Sequence, residues 1–244
     1  MNVSARAAVV SGGSSGIGKA IVARLHADGW IVYTCGRDRA KLAALEAELP
    51  GVRTHVCDVG SRAAVLAFAQ AVFAEVPTLQ LLVSNAGGSR EIDFTREDLS
   101  SLDVTAELRN NTEGAINLIT EFLPGLRHND GGAILVVSSG YALAPATRAP
   151  VYCASKAALH SLCKSLRLQL APLRITVTEL LPPVVDTPSV AHRKVAKLAP
   201  GPVADAAVRG VLAGSEEVRP GKVRCLPFLL RLMPRTSERI VART

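Results

Sequence analysis

The sequence predicts one doubly wound α/β domain, a parallel sheet of about seven strands with helices on both faces. Three observations point there. Short apolar runs alternate with longer stretches of helical period, the pattern of successive β-α-β units. A glycine-rich turn, Ser11-Gly12-Gly13-Ser14-Ser15-Gly16-Ile17-Gly18, joins the first apolar run to the first helical stretch. No internal repeat, low-complexity stretch or linker divides the 244 residues, a length that suits one domain over 1–244.

The elements follow in order. Ala7–Ser11 is short, apolar and bounded by the glycine turn, hence a buried strand. Ile17–Asp28 has helical period and closes at Gly29, whose missing Cβ suits a helix end. Trp30–Cys35 is rich in β-branched and aromatic residues, so it is the second strand. Arg39–Leu49 is a helix stopped by Pro50-Gly51, and Arg53–Cys57 is the third strand. Ser61 caps a helix over Arg62–Val76. Leu79–Ser84 is the fourth strand. Val104–Leu123 reads as a long helix ended by Pro124, and Ala133–Ser138 as the fifth strand after the Gly131-Gly132 turn. Val151–Leu170 is a second long helix, ended by Ala171-Pro172. Arg174–Leu180 is the sixth strand, Val203–Ala213 a helix and Val223–Leu226 a last short strand.

Composition narrows the function classes. With 48% hydrophobic and 20% charged residues, the chain has the balance of a soluble globular protein. No apolar run reaches the ~18–20 residues of a membrane span. Met1–Arg6 lacks the regions of a signal peptide, so a cytoplasmic protein is expected. The five cysteines (35, 57, 153, 163 and 225) are scattered and form no C-x-x-C pair, which argues against a disulfide framework or zinc site; no metal is expected. The net charge of +7 comes largely from the tail 219–244, where Arg219, Lys222, Arg224, Arg231, Arg235, Arg239 and Arg243 face Glu238 alone. Only 4% of residues are aromatic and no recognition motif is present, so nucleic-acid binding is not expected.

The glycine-rich turn has the strand–turn–helix context of a dinucleotide cradle. Its glycines permit a tight turn and close approach to a pyrophosphate, and the helix behind it points free N–H groups and a positive dipole end at that anion. The lysine and Ser/Thr ending of a P-loop are absent. Cys35-Gly36-Arg37 ends the second strand without the acidic residue that holds a ribose 2′-hydroxyl. Arg37 suits a 2′-phosphate instead, which favours NADP(H) over NAD(H); the bland alternative is a solvated loop charge. Asp38 begins the next turn. Asp58-Val59, after the third strand, suits an adenine amino group, or Asp58 simply caps or turns the chain.

Tyr152-Cys153-Ala154-Ser155-Lys156 sets Tyr and Lys at i and i+4 on one helical face. A tyrosine titrates near ~10, and a neighbouring ammonium is expected to lower that value. Ser139, at the end of the fifth strand, can share charge developing on a substrate oxygen.

Together these motifs resemble the short-chain dehydrogenase/reductase family, a Rossmann-type family, from about Ala5 to about Thr187. The cradle is similar to the family's T-G-x-x-x-G-x-G, with Ser11 for Thr. Ser84-Asn85-Ala86-Gly87 is similar to its N-N-A-G. Asn111, Ser139, Tyr152 and Lys156 match its catalytic tetrad, with Asn110 and Ser138 as competing positions. Leu181-Pro182-Pro183-Val184-Val185-Asp186-Thr187 has Pro183 where the family has Gly, a form that resembles its DltE-like branch.

The resemblance implies that Tyr152 is general acid or base, that Lys156 lowers its pKa and binds ribose, and that Ser139 orients the carbonyl. It implies that Asn111 holds a helix kink and a water, and that Asn85 braces the sheet. The cofactor contacts it implies are Ser11, Gly12, Ser14, Ser15, Gly16, Ile17, Gly18, Arg37, Asp58, Val59, Asn85, Ala86, Gly87, Tyr152, Lys156, Pro182, Val185 and Thr187. The implied activity is an NADPH-dependent carbonyl reductase or alcohol dehydrogenase. The alternative is a cofactor-binding sensor or scaffold, which a lost Tyr or Lys would favour; neither is lost.

Gly140–Pro150 (with Tyr141, Leu143, Pro145) and a loop over about 186–202 (with Val190, His192, Leu198) are expected to form a mostly apolar substrate pocket for a small ketone, aldehyde or secondary alcohol. Arg148 and Arg193 are either solvated or placed for an anionic group. A homodimer or homotetramer is the family's implied assembly. The tail Phe228–Pro234 is open to three roles: docking on a partner subunit, covering the pocket, or touching a membrane surface. Its short length and the break at Pro234 rank the last lowest.

Overall fold

A computed structural model describes residues 6–96, 98–129 and 131–244; the reading of Met1–Ala5 as free of a signal peptide lies outside them. The strands β1 (Ala7–Ser11), β2 (Ile31–Gly36), β3 (Arg53–Val56), β4 (Leu81–Ser84), β5 (Gly132–Val137), β6 (Ile175–Leu180) and β7 (Glu217–Val218) form one seven-stranded sheet. All its pairings are parallel, in the order β3-β2-β1-β4-β5-β6-β7. The helices are α1 (Gly16–Ala27), α2 (Arg39–Glu48), α3 (Arg62–Glu75), α4 (Gly114–His128), α5 (Pro150–Leu170), α6 (Pro200–Leu212), α7 (Leu226–Leu232) and α8 (Pro234–Ala242).

The central strands β1, β4 and β5 read as continuous apolar runs because both faces are covered. Alternate side chains of β1 enter opposite cores. Ala7 and Val9 join Phe68, Phe122 and Leu159 from α3, α4 and α5. Ala8 and Val10 join Ile21, Leu45 and Val208 from α1, α2 and α6. The order in which strands are added reverses between β1 and β4, the switch point where doubly wound sheets open a crevice at their carboxyl ends.

Local chemistry sets the helix ends. Asp38 caps α2 by accepting from Lys41 N at 3.1 Å, so it opens that helix as expected. Ser61 caps α3 through Ala64 N. Gly29, with φ +77°, takes the left-handed turn after α1.

Three expectations fail. The helix predicted over Val104–Leu123 instead begins with a π-helical turn, Leu108–Glu113, and becomes regular only at Gly114. Asn111 is drawn inward there, and a Cβ on Gly114 would meet Val59 at 2.6 Å. Pro124 does not end α4, which runs to His128. Its lost hydrogen bond is offset by packing of the last turn, where Leu126 is fully buried and Leu79 N donates to Gly125 O at 3.2 Å. Finally, Val223–Leu226 is not a strand: β7 pairs Val218 with Leu180, and Gly221–Cys225 is a 3-10 turn. The reason is that Val223 packs against Gly140 beside the cleft, leaving no sheet position for it.

Candidate active site

A cleft of about 670 Å³ opens over the carboxyl ends of the strands, on both sides of the switch point. Gly12, Ser14, Ser15, Gly16 and Ile17 line one wall. Gly13 N donates to Thr34 Oγ1 at 3.1 Å, and a Cβ on Gly13 would fall 2.2 Å from that oxygen. The turn is therefore locked against β2. The first turn of α1 contains no acidic residue, and Ser15 makes no side-chain cap. Its N–H groups and dipole end thus face the cleft without a competing anion, which fits a pyrophosphate.

Ser11 and Gly18 are not on the cleft wall. Ser11 is fully buried, and its hydroxyl accepts from Asn85 N at 3.0 Å and Ala86 N at 2.9 Å. Asn85 Nδ2 returns bonds to Ser11 O at 2.9 Å and Gly12 O at 3.2 Å. This knot ties the turn after β4 to the cradle, so Asn85, Ala86 and Gly87 reach the cleft lining beside it. Gly18 has no room for a Cβ, which would stand 2.3 Å from both Asn85 Nδ2 and Gly12 O. Both residues shape the cradle from behind.

At one end of the cleft lie Arg37, Lys41, Asp58 and Val59. Lys41 is paired with Asp38 at 3.3 Å. Arg37 makes no ion pair among the described residues. Asp58 closes a local turn by accepting from Gly60 N at 3.0 Å, and it also lines the cleft.

At the other end stand Ser139, Tyr152 and Lys156. Ser139 follows β5 by two residues, with extended backbone and its hydroxyl accepting from Tyr141 N at 3.2 Å. Tyr152 and Lys156 are one turn apart on α5, with Lys156 Nζ 5.6 Å from the Tyr152 ring centre. Lys156 Nζ donates to Val137 O at 2.9 Å. Asn111 does not line the cleft. From the π-helical turn its amide donates to Gly88 O at 3.0 Å and Ser155 Oγ at 2.9 Å, and accepts from Gly88 N at 2.9 Å. It therefore clamps the loop after β4 to α5. Asn110 lines the cleft instead; Ser138 also borders it, but its hydroxyl donates to Lys156 O at 3.3 Å.

The electrostatics differ from the sequence expectation. Burial pushes the Tyr152 phenol up to about 12, and the Ser139 hydroxyl only works against that rise. Burial also pulls the Lys156 ammonium down to about 8, with the carboxylates of Glu179 and Glu107 acting the other way. A dry site penalises both charges, so the expected lowering of Tyr152 by Lys156 is not seen in this state.

Pro182, Val185 and Thr187 line the cleft as the motif implies. Pro183 leaves the loop regular: Asp186 N and Leu198 O are bonded at 2.8 Å, Leu198 N and Val184 O at 3.0 Å. The substrate end is more charged than expected. Tyr141, Val190 and His192 line it, but so do Arg90, Glu91, Arg148 and Arg193, whereas Leu143, Pro145 and Leu198 do not. Arg148 pairs with Glu91 at 2.8 Å and donates to Tyr141 Oη at 2.9 Å.

Two residues were missed in the sequence. Ser155 anchors Asn111, a role its place inside the Tyr-to-Lys turn could have suggested. Glu107 is a buried carboxylate at the entry to the π-helical turn, accepting from Arg90 N at 2.5 Å, with burial pushing its pKa up and Lys156 among the groups opposing this. Nothing in its sequence neighbourhood marks it.

The model of the family described as short chain dehydrogenase matches residues 6–197. A Bacillus subtilis (strain 168) protein named uncharacterized oxidoreductase DltE is 38% identical over 187 residues, 77% of this chain and 74% of that one. A fatty acyl-CoA reductase of Acinetobacter baylyi is 32% identical over 205 residues, 82% of this chain and 69% of that one. Among solved structures, a short chain dehydrogenase from Burkholderia cenocepacia J2315 in complex with NADP superposes with TM-score 0.86 at 26% identity, covering 99% of each chain.

Proposed function

From the premise that this chain belongs to the short-chain dehydrogenase family and is an NAD(P)-dependent oxidoreductase, we propose that it is an NADPH-dependent reductase of ketone or aldehyde carbonyls. The observation that carries this reading is a single cleft with an unpaired Arg37 at one end and Tyr152, Lys156 and Ser139 at the other, joined by an uncapped helix N-terminus.

The nicotinamide supplies or accepts the hydride when bound. Gly12 to Ile17 hold the pyrophosphate on backbone N–H groups, and Arg37 meets the 2′-phosphate. Asp58 and Val59 bound the adenine, while Val185 and Thr187 meet the carboxamide. Ser139 donates a hydrogen bond to the substrate oxygen. Tyr152, also at that oxygen, releases its phenolic proton as negative charge builds there. A phenol near 12 stays protonated at neutral pH, and an alkoxide is a far stronger base than a phenolate. The proton is therefore in place for donation, and the same phenol returns as base in the reverse direction. Lys156 stabilises the phenolate left behind, and Asn111 keeps the loop after β4 against α5 so that this end of the cleft holds its shape.

Tyr141 and Val190 offer an apolar wall for the substrate body. A second substrate reading has specific support: Arg90, Arg148 and Arg193 at the same end, and a relative named fatty acyl-CoA reductase, fit a carbonyl compound carrying an anionic group.

Titration with NADPH and NADH in parallel, followed by cofactor fluorescence, tests the reading. Tight NADPH and weak NADH binding is expected, with turnover of apolar ketones or aldehydes. Preference for NADH would remove the Arg37 assignment. Binding without turnover of any carbonyl would favour a cofactor-binding sensor.

A further inference from the structure

The segment beyond β7 folds differently from its sequence expectation. The chain does break at Pro234, as expected, but Pro234 then opens a second helix from its first turn, where its missing N–H costs nothing. The result is two short helices packed on each other and thinly attached to the body. α7 contains no buried residue, and α8 buries Ser237 alone. Helices this short are marginal in water without a covered face.

Their outer surface is apolar and cationic together. Phe228, Leu232 and Ile240 are 64%, 60% and 62% exposed, and Leu229 and Met233 are exposed beside them. Arg235, Arg239 and Arg243 recur at i, i+4 and i+8, which aligns them along α8 away from Ser237. Lys222, Arg224 and Arg231 add to the same segment, against Glu238 alone. None of these cations makes an ion pair among the described residues. Five large exposed side chains in sixteen or so residues exceed the scattered exposure of an ordinary surface.

We propose that α7 and α8 dock this protein on an anionic lipid surface. Charge selects the occupant. A second copy packed on this face by a two-fold axis would set Arg231, Arg235 and Arg239 against one another. An anionic bilayer neutralises them while its interior takes up Phe228, Leu232 and Ile240. No described helix is long and apolar enough to cross a membrane, so the association is peripheral.

The docking face adjoins the cleft mouth. Thr147 donates to Ala242 O from its N (3.1 Å) and from its hydroxyl (2.8 Å). Thr244 Oγ1 lies 3.2 Å from the Tyr141 hydroxyl, and Tyr141 lines the cleft. Where the reductase reading above holds, the docked protein faces a lipophilic carbonyl substrate; lipid binding itself does not depend on that reading.

Vesicle flotation of the full chain tests the proposal without an activity measurement. The protein is expected to float with phosphatidylcholine–phosphatidylglycerol vesicles and not with phosphatidylcholine alone. Raising salt from about 0.1 M to about 1 M should release it. Arg231→Glu with Arg235→Glu and Arg239→Glu should lower partitioning on the order of hundredfold. Phe228→Ser with Leu232→Ser should also weaken it, and because all five side chains are exposed these variants should keep the parent's circular dichroism. No flotation at low salt, or flotation unchanged by both variants, would overturn the proposal. A dimer that Phe228→Ser with Leu232→Ser splits would overturn it too, by giving the face to a second copy.

Discussion

His160 Nδ1 lies 2.7 Å from Glu179 Oε2, sealing a carboxylate with no solvent exposure beneath the reacting end of the cleft. Tyr152, Lys156 and His160 follow one another at i, i+4 and i+8 along α5, so this pair sits one turn beyond the ammonium. Arg167 Nη2 stands 4.0 Å from the same carboxylate oxygen, while Glu179 Oε1 has no partner. His160, Glu179 and Glu217 together have ligand types that can bind a metal, but Arg219 holds Glu217 and Arg167 faces Glu179, so cations already occupy the surroundings. The charge of Glu179 instead acts on Lys156, opposing the burial that pulls it down to about 8.

Replacing Glu179 with Gln therefore removes a force that keeps Lys156 charged. The alkaline limb of carbonyl reduction, where Lys156 loses its proton, should move to lower pH, with kcat well below that limb little changed. A pH–rate profile of Glu179→Gln checks this. Activity reduced equally at every pH would mean that Glu179 only supports the fold.

Tyr152→Phe deletes the proton donor and little volume. Turnover should fall by at least about a hundredfold, while NADPH affinity stays within a few-fold of the parent. Loss of both together would assign Tyr152 to the architecture of α5.

Arg37→Ser should lower NADPH affinity roughly tenfold or more and leave NADH affinity nearly unchanged, because only the 2′-phosphate needs the guanidinium. Parallel fluorescence titrations of the variant decide it. An equal loss for both cofactors would point to adenine stacking.

The sequence made most of this legible, for a physical reason. Buried parallel strands write themselves as short apolar runs, and the cradle needs glycines at fixed offsets, so β1 and its turn were readable residue by residue. What was hidden depends on tertiary partners. The π-helical turn exists because Asn111 reaches Gly88 and Ser155, which are remote in sequence. α4 survives Pro124 because Leu126 is buried, and Val223 leaves the sheet because Gly140 offers it a place. The raised phenol of Tyr152 follows from burial that no i, i+4 spacing reveals.

Gly18→Ala tests the cradle's rigidity. The new methyl would stand 2.3 Å from Gly12 O and from Asn85 Nδ2, both held by hydrogen bonds. Neither can yield without opening the knot around Ser11. The variant should lose roughly 1–3 kcal/mol of stability and most cofactor affinity. Urea melts and NADPH titration measure the two; an unaltered protein would show that this turn relaxes freely.

Lys156→Met should give an inactive protein that is more stable at neutral pH. Lys156 titrates at about 8 when folded, against 10.5 for an ordinary lysine. Below pH 8 the ammonium is charged in both states, and burying it costs on the order of 3 kcal/mol. Between about 8 and 10.5 the unfolded chain binds more protons than the folded one, so stability rises with pH and the cost disappears. Methionine of similar length avoids the cost at neutral pH but loses the hydrogen bond to Val137 O, worth about 1 kcal/mol. The net gain near pH 7 should raise the melting temperature by a few degrees, and the order should reverse as pH approaches 10.5, where only the lost hydrogen bond remains. Thermal melts across that range check the sign. A variant that melts lower at pH 7 would mean that the contacts of Lys156 hold β5 and α5 together more strongly than its desolvation pushes them apart.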